Sequence, residues 1–305
     1  MKHLFIVNPV AGGKDHTREV RAKVEKAFAE RGGEFEIYVT RAPMDATGKI
    51  LAEAASGEHI RVYACGGDGT FNECVCGAAQ LPNVAICPFP TGTGNDFCRM
   101  FGDEAELYRD LDALLEGEER PIDLIDCNGR WCSNICSVGI DARIGTSVHE
   151  YSHLPIIGGA AGYVVSAVVN MFKGINRNMY IKCGDFYEEG MHALVCVCNG
   201  RFYGGGFNPS LTARPDDGEL DFYIVRRVNI FTFAALIGKY AKGMADELPP
   251  RLITHLKGSS IEIGFDDDEV INIDGEALYS RRAQISVVPG AARLIVPRGM
   301  KFFEK

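Results

Sequence analysis

Three glycine-rich stretches carry the densest chemistry in this chain: NPVAGGK (Asn8–Lys14), GGDGTFNE (Gly66–Glu73) and PTGTGNDF (Pro90–Phe97). Each follows an apolar run. Such a turn offers backbone N–H groups unhindered by side chains, and a helix opening from it adds a positive end, so the two together cradle phosphates. Two common phosphate fingerprints are excluded. Asn72 stands where the third glycine of a dinucleotide-binding turn belongs. GGK at Gly12–Lys14 has Asn8 where a P-loop has its leading glycine, and Asp15 follows where Ser or Thr belongs. Asp68 sits inside the second turn, where a carboxylate beside phosphates implies a shared Mg²⁺. In the third, Asn95 and Asp96 suit the cap of a following helix.

Three other groupings have two readings each. IDGE (Ile273–Glu276) offers a carboxylate that could take a proton, yet Asp-Gly is also a plain hairpin signal. HEYSH (His149–His153) fits the zinc-protease pattern H-E-x-x-H. Pro155 disfavours helix at Leu154, however, and no acidic residue follows before Asp185, so the match reads as coincidence. Cys127, Cys132 and Cys136 do not have a familiar zinc spacing. With the other eight cysteines, several of them inside apolar runs, they read as reduced core thiols.

The elements that must position these residues follow two rhythms. HLFIVNP reads as a strand and residues 17–30 as a helix with Val20, Val24, Ala27 and Phe28 inward, stopped by Gly32 and Gly33. Strand EFEIYVT, a helix at 45–55, strand IRVYACGG, a helix from Phe71 to Ala79, strand NVAICPFP and a helix after Asn95 continue the alternation. This predicts a parallel α/β domain over 1–125. Beyond it, RWCSNICSVG, MYIKCG, HALVCVCNG, LDFYIVRRV, SSIEIGF, EVINIDGE and AQISVVPG are short runs between turn residues, the pattern of an antiparallel sandwich over 126–290. Helical segments interrupt it near 160–173 and 230–247. RLIVPRG, in the closing segment 291–305, suits either domain.

Composition bounds the function. The 305 residues are 46% hydrophobic and 24% charged, which suits about two globular domains. A net charge of −9 speaks against nucleic acid as a partner, though not against a small phosphate compound. The opening MKHLFIVNPVAGGK reads as a first strand and not a leader, so the cytoplasm is the expected location. Leu154–Phe172 is uncharged and about long enough to span a bilayer, but Pro155 and three glycines break it, which predicts a buried helix and no transmembrane span. Asn229–Met244 sets Ile230, Phe233, Ala234, Ile237, Tyr240 and Met244 on one face, a core stripe, with Lys239 and Lys242 able to reach lipid headgroups. The acidic run Asp266–Glu269 reads as a solvated turn.

In order along the chain, NPVAGGK, GGDGTFNE, PTGTGNDF, NGRFYGGGFNPS, RPDDGELD and IDGE resemble the motifs of soluble lipid kinases of the diacylglycerol kinase catalytic type, over residues 8 to 276. GGDGT alone is shared with NAD kinases and phosphofructokinases; GTGNDF and the GGGFNP segment separate this chain from NAD kinases. The resemblance implies a Rossmann-like parallel α/β domain, an antiparallel β-sandwich domain, and an ATP site in the cleft between them. It implies nucleotide contacts from Asn8, Pro9, Val10, Ala11, Gly12, Thr40, Gly66, Gly67, Asp68, Gly69, Thr70, Phe71, Asn72 and Thr93, and a general base at Glu276. A structural Mg²⁺ would rest on the Asp217 carboxylate and the carbonyls of Arg214 and Glu219, and a catalytic Mg²⁺ on Asp68 and Asp96. The expected enzyme transfers the γ-phosphoryl group of ATP to a lipid hydroxyl at the membrane surface, diacylglycerol giving phosphatidic acid. A sphingoid base or phosphatidylglycerol as acceptor, a nucleotide-binding lipid sensor without turnover, and a homodimeric assembly all stay open.

Overall fold

A computed structural model describes residues 1–91, 95–152 and 174–304, with 147–152 by backbone alone. The chain divides into two compact units, Met1–Leu124 with Val288–Lys305, and Ile125–Val287. The uncharged stretch Leu154–Phe172 and the helix expected near 160–173 lie outside the described residues. Among the described residues, no helix is long and apolar enough to cross a membrane.

In the first unit β1 (Lys2–Val7), β2 (Glu34–Val39), β3 (Ile60–Gly66) and β4 (Val84–Pro90) pair in parallel, β1 lying between β2 and β3. β3 and β4 are buried throughout, as unbroken apolar runs must be when a parallel sheet is covered on both faces. Helix α1 (Thr17–Arg31) buries Val20, Val24 and Phe28, one residue per turn, and ends where the Gly32 N–H bonds the Phe28 carbonyl. Helix α2 (Asp45–Ala54) does the same with Ala46, Ile50 and Ala54. Helix α3 (Asp68–Ala78) starts three residues earlier than its apolar pattern predicts, so the GDGT residues form its first turn. Two short helices, α4 (Asp96–Arg99) and α5 (Leu111–Leu115), complete this set.

The second unit is antiparallel. Its strands are the end of β5 (Glu118–Cys127), then β6 (Arg130–Cys132), β7 (Ile135–Gly139), β8 (Arg177–Cys183), β9 (Phe186–Cys198), β10 (Leu220–Arg226), β11 (Ile253–Gly258), β12 (Ser260–Ile273) and most of β13 (Glu276–Val296). β7 lies between β9 and β12, and β12 between β7 and β13. β9 shows why its run is apolar without a break: Val195 and Val197 face one buried cluster, Leu194, Cys196 and Cys198 the other. The last part of β13 pairs in parallel with β4, Arg293 opposite Ala85, so the closing segment returns to the first unit.

Three expectations are corrected here. Asp266–Glu269 is no turn; the strand runs on through it with a register shift between Gly264 and Glu269, and Glu269 bonds the Arg177 guanidinium at 2.7 Å. The second interrupting helix, α7 (Ile230–Tyr240), stops at Tyr240 and not 247, with Gly243 at φ 74° shortly after. Its inward face is Phe233, Leu236, Ile237 and Tyr240, while Ile230 and Ala234 are exposed.

All eleven cysteines are unbridged, and Cys127, Cys132 and Cys136 share one apolar cluster. Burial pushes the Cys132 thiol up. Of the H-E-x-x-H residues, His149 and Glu150 fall in α6 (Ile140–Ser152) where only backbone is described, and His153 lies outside the described residues.

Gly139, where β7 turns into α6, has φ 94°, and a Cβ there would lie 2.4 Å from the Ala193 carbonyl oxygen. Gly139→Ala is therefore expected to cost at least about 2 kcal/mol, from left-handed strain plus the clash with backbone. Urea denaturation of the variant measures it.

Candidate functional site

The first unit gathers its predicted residues at the carboxyl ends of its parallel strands. Asn8 follows β1 and Thr40 follows β2. The Asn8 N–H bonds the Cys65 carbonyl at 3.1 Å and the Thr40 N–H bonds the Val7 carbonyl at 2.9 Å, extending the sheet ladder into the loops. The Asn8 side-chain amide then donates to the Thr70 hydroxyl at 3.1 Å, while its oxygen accepts from the Val10 N–H. Gly66 has no alternative here, because a Cβ would lie 2.3 Å from the Thr70 Oγ1. A cavity of about 260 Å³ is lined by Asn8, Pro9, Val10, Thr40 and Thr70, together with Arg41 and Glu73.

Arg41 and Glu73 were not singled out from sequence, although Glu73 closes GGDGTFNE and Arg41 follows Thr40. The Glu73 carboxylate accepts from the Ala46 N–H, fixing the start of α2, and the Arg41 guanidinium is shared between Tyr38 and Asp45. Ala11 and Gly12 form the turn after Val10, Gly12 at φ 67°. Gly67 caps α3, and Asp68, Gly69 and Thr70 are its opening turn. Phe71 is buried, and its ring packs 4.7 Å from that of Phe97, centroid to centroid, so the side chain backs the loop. Asn72 is buried as well. Thr93 lies outside the described residues.

Asp68 ties two of the glycine loops together. Its Oδ1 accepts from the Asp96 N–H at 2.7 Å and the Phe97 N–H at 3.3 Å. Asn95 caps α4 through the Cys98 N–H, and Asp96 pairs with Arg99 at 3.2 Å. Asp68 thus secures the PTGTGNDF loop through its backbone, a role that spacing alone did not reveal.

In the second unit Asp274 and Gly275 form the two-residue turn joining β12 to β13, with φ 48° and 98° and Ile273 opposite Glu276. IDGE is therefore a hairpin, with Glu276 exposed at its far side. Asp274 holds it. Its carboxylate accepts from the N–H groups of Ser133, Asn134 and Ile135 and from the Ser133 hydroxyl, at 2.7 to 3.2 Å. The same short turn receives NGRFYGGGFNPS: the Asn199 and Gly200 N–H groups bond the Asn134 carbonyl, and the Asn199 amide bonds the Ser133 carbonyl. Farther along that loop the Tyr203 hydroxyl donates to Asp141 at 3.1 Å. Burial pushes the Asp141 carboxyl up to about 6, against the pull of Tyr203 and the Ala142 N–H.

RPDDGELD leads into β10. Asp216 pairs with the Arg214 guanidinium at 2.9 Å, and the Asp217 carboxylate accepts the Glu219 N–H at 3.1 Å across Gly218. A single carboxylate with two carbonyls is an all-oxygen donor set, which suits Mg²⁺ completed by waters. Among the described residues no three His, Cys, Asp or Glu side chains form a metal cluster. The last residue of the motif, Asp221, is buried and hydrogen-bonds His255, keeping the imidazole's protonation favoured against burial.

Two outcomes follow. Asp274→Ala leaves several amide donors without their acceptor and is expected to cost about 3 kcal/mol in denaturant unfolding, with Asp274→Asn costing less. For Asp141, the folded chain keeps a proton that the unfolded chain has lost between the ordinary 3.8 and about 6. Its contribution is therefore largest below pH 4 and falls as pH rises to 6, by roughly 3 kcal/mol in total. Asp141→Asn should remove that slope, read from the difference between wild-type and variant stability at each pH.

Comparison with known proteins agrees with this arrangement. The diacylglycerol kinase catalytic domain model matches residues 2–127, and the YegS C-terminal NAD kinase beta sandwich-like domain model matches residues 134–296. A probable lipid kinase YegS-like from Pseudomonas aeruginosa is 32% identical over 98% of this chain and 95% of its own length. One from Stenotrophomonas maltophilia is 27% identical over 97% and 96%. The crystal structure of a candidate diacylglycerol kinase from Bacillus anthracis superposes with a TM-score of 0.76, at 28% identity, over 97% of this chain and 98% of its own. Loops, order of motifs and full-length similarity all point one way: this chain belongs to the YegS-like lipid kinases, with a diacylglycerol kinase catalytic domain and a YegS-type β-sandwich-like domain, and it is a kinase acting on a lipid.

Proposed function

We propose that the acceptor is diacylglycerol and that the product is phosphatidic acid. The observation that carries the nucleotide half of this reading is the meeting of Asn8, Thr40 and Thr70 around one cavity beside the opening turn of α3. In this reading the backbone amides of Gly66–Thr70 take the phosphates of ATP, aided by the helix's positive end. Asn8, Pro9, Val10, Ala11, Gly12 and Thr40 border the nucleotide, with Arg41 and Glu73 as additions. Phosphoryl transfer asks for positioning and charge neutralisation more than covalent help.

Glu276 is the general base. The lipid oxygen forms its bond to the γ-phosphorus as the bond to the β–γ bridging oxygen breaks; ADP leaves, and the hydroxyl proton passes to the Glu276 carboxylate. Bound Mg²⁺ would neutralise the phosphate oxygens. Asp68 and Asp96 are the proposed residues for that ion, and Asp217 with the Arg214 and Glu219 carbonyls for a structural one. Similarity to the Bacillus anthracis chain, described as a candidate diacylglycerol kinase, supports diacylglycerol over other lipid alcohols. Membrane contact is transient in this proposal, and the cytoplasm is the compartment.

Labelled ATP and Mg²⁺ are supplied with vesicles carrying diacylglycerol, a sphingoid base or phosphatidylglycerol. Label is expected in phosphatidic acid; label in another lipid reassigns the acceptor. Glu276→Gln should lower kcat by roughly 10²- to 10⁴-fold with nucleotide binding retained. Unchanged turnover removes Glu276 from the base role.

A further inference from the structure

Helix α7 presents a face to solvent whose composition does not suit solvent. Phe231 is 83% exposed, the highest figure for any large apolar side chain among the described residues, and Ile230 beside it is 39% exposed. Along the same outward side, Ala234, Ala235 and Gly238 are exposed, and Lys239 and Lys242 lie toward the far end. Leu211, 56% exposed, packs against Gly243 just past that end and adds a second apolar point.

The charge is equally one-sided. Asn229–Met244 holds two lysines and no acidic residue, in a chain whose net charge is −9. Lys239 makes a 3.7 Å pair with Glu247, both exposed, a contact worth little in water. Lys242, and Arg227 just before the helix cap, make no ion pair among the described residues. Small side chains between an aromatic anchor and two lysines let the helix lie close to a surface, aromatic ring in the acyl boundary and ammonium groups among anionic headgroups.

We infer that the outward face of α7, with Leu211, is the surface by which this chain docks on a bilayer containing anionic lipid. The inference rests on the reading of the chain as a lipid kinase, because an acceptor resident in a bilayer must be met there. Charge selects this occupant over a second copy, because in a two-fold contact the same cationic face would meet itself, whereas anionic headgroups complement it. The face also connects to one of the family motifs: the Asn208 N–H of NGRFYGGGFNPS bonds the Ala241 carbonyl at the end of the helix at 3.0 Å.

Flotation of the full chain with phosphatidylcholine vesicles, and with vesicles that also contain phosphatidylglycerol, reads the partition directly. Wild type should prefer the anionic vesicles and lose that preference as salt rises. Phe231→Glu is expected to weaken binding at least about tenfold. Lys242→Glu should diminish the preference for anionic over neutral vesicles. Both variants should keep turnover of a short-chain acceptor dispersed in detergent, which also shows that they are folded. Glu276→Gln should float like wild type while losing turnover, so failure of the docking surface and failure of the kinase reading give different results. Wild-type binding by Phe231→Glu overturns the inference. So does a shift from dimer to monomer in that variant on sedimentation with vesicle binding intact, because the face would then belong to a second copy.

Discussion

The arrangement at the nucleotide side depends on the register of β1 with its two parallel neighbours. Val7 lies opposite Val39 on one side and Cys65 on the other. Because the strands run the same way and end level with one another, Asn8, Thr40 and the turn at Gly66 emerge at one edge. Two backbone bonds continue the ladder past the strand ends, so the first loop residues inherit the sheet's geometry. A slip of one residue in β1 would turn Asn8 away from Thr70 and put the buried run Leu4–Val7 on the wrong faces. Burial of that run thus fixes the placement of a polar side chain that itself contributes little to the core.

The second unit solves a similar problem with buried or half-buried carboxylates. A β-hairpin tip and a glycine-rich loop are both mobile by composition, and each needs an anchor. Asp274 provides one by collecting the amides of Ser133–Ile135, and those same residues return carbonyls to Asn199 and Gly200. Asp141 provides another through Tyr203, at the expense of burying a carboxyl whose proton affinity rises as a result. An amide accepting in place of either carboxylate has one oxygen fewer for the same donors. That is the physical reason an acidic residue is used at both positions.

Much of this was legible from residue types. Alternating apolar strands and amphipathic helices marked the first unit, with Val20, Val24 and Phe28 buried as their spacing required. Asn95 behaved as a helix cap. Features decided by a distant partner were not legible. The amide partners of Asp68 lie 28 and 29 residues away, beyond the reach of its own motif. The start of α3 was hidden because GDGT has no apolar periodicity, and Phe71 because an aromatic in a glycine loop does not announce whether it faces core or ligand. The acidic run before Val270 resembled a turn, since nothing local signals that a strand ladder resumes beyond a register shift. Spacing does not decide the inward face of α7 at Ala234, where alanine is equally acceptable on either side, or at Ile230 in the first turn, which is exposed.

Several acidic residues of this family's motifs also hold the backbone in place. Asp68 and Asp274 spend a carboxylate on backbone amides and define loop shape; Asp216 spends one on a guanidinium within its own turn. Glu276 is exposed on the strand that leaves the Asp274 turn, and its carriage is supplied by the aspartate two residues before it. For the base proposed above this is a useful division of labour: the hairpin's hydrogen bonds fix the backbone, and the Glu276 carboxylate stays exposed. The pairing of a clamped aspartate with an uncommitted glutamate gives the spacing Asp-Gly-Glu a mechanical reason. Glycine between them permits the left-handed turn that presents the second carboxylate while the first is held.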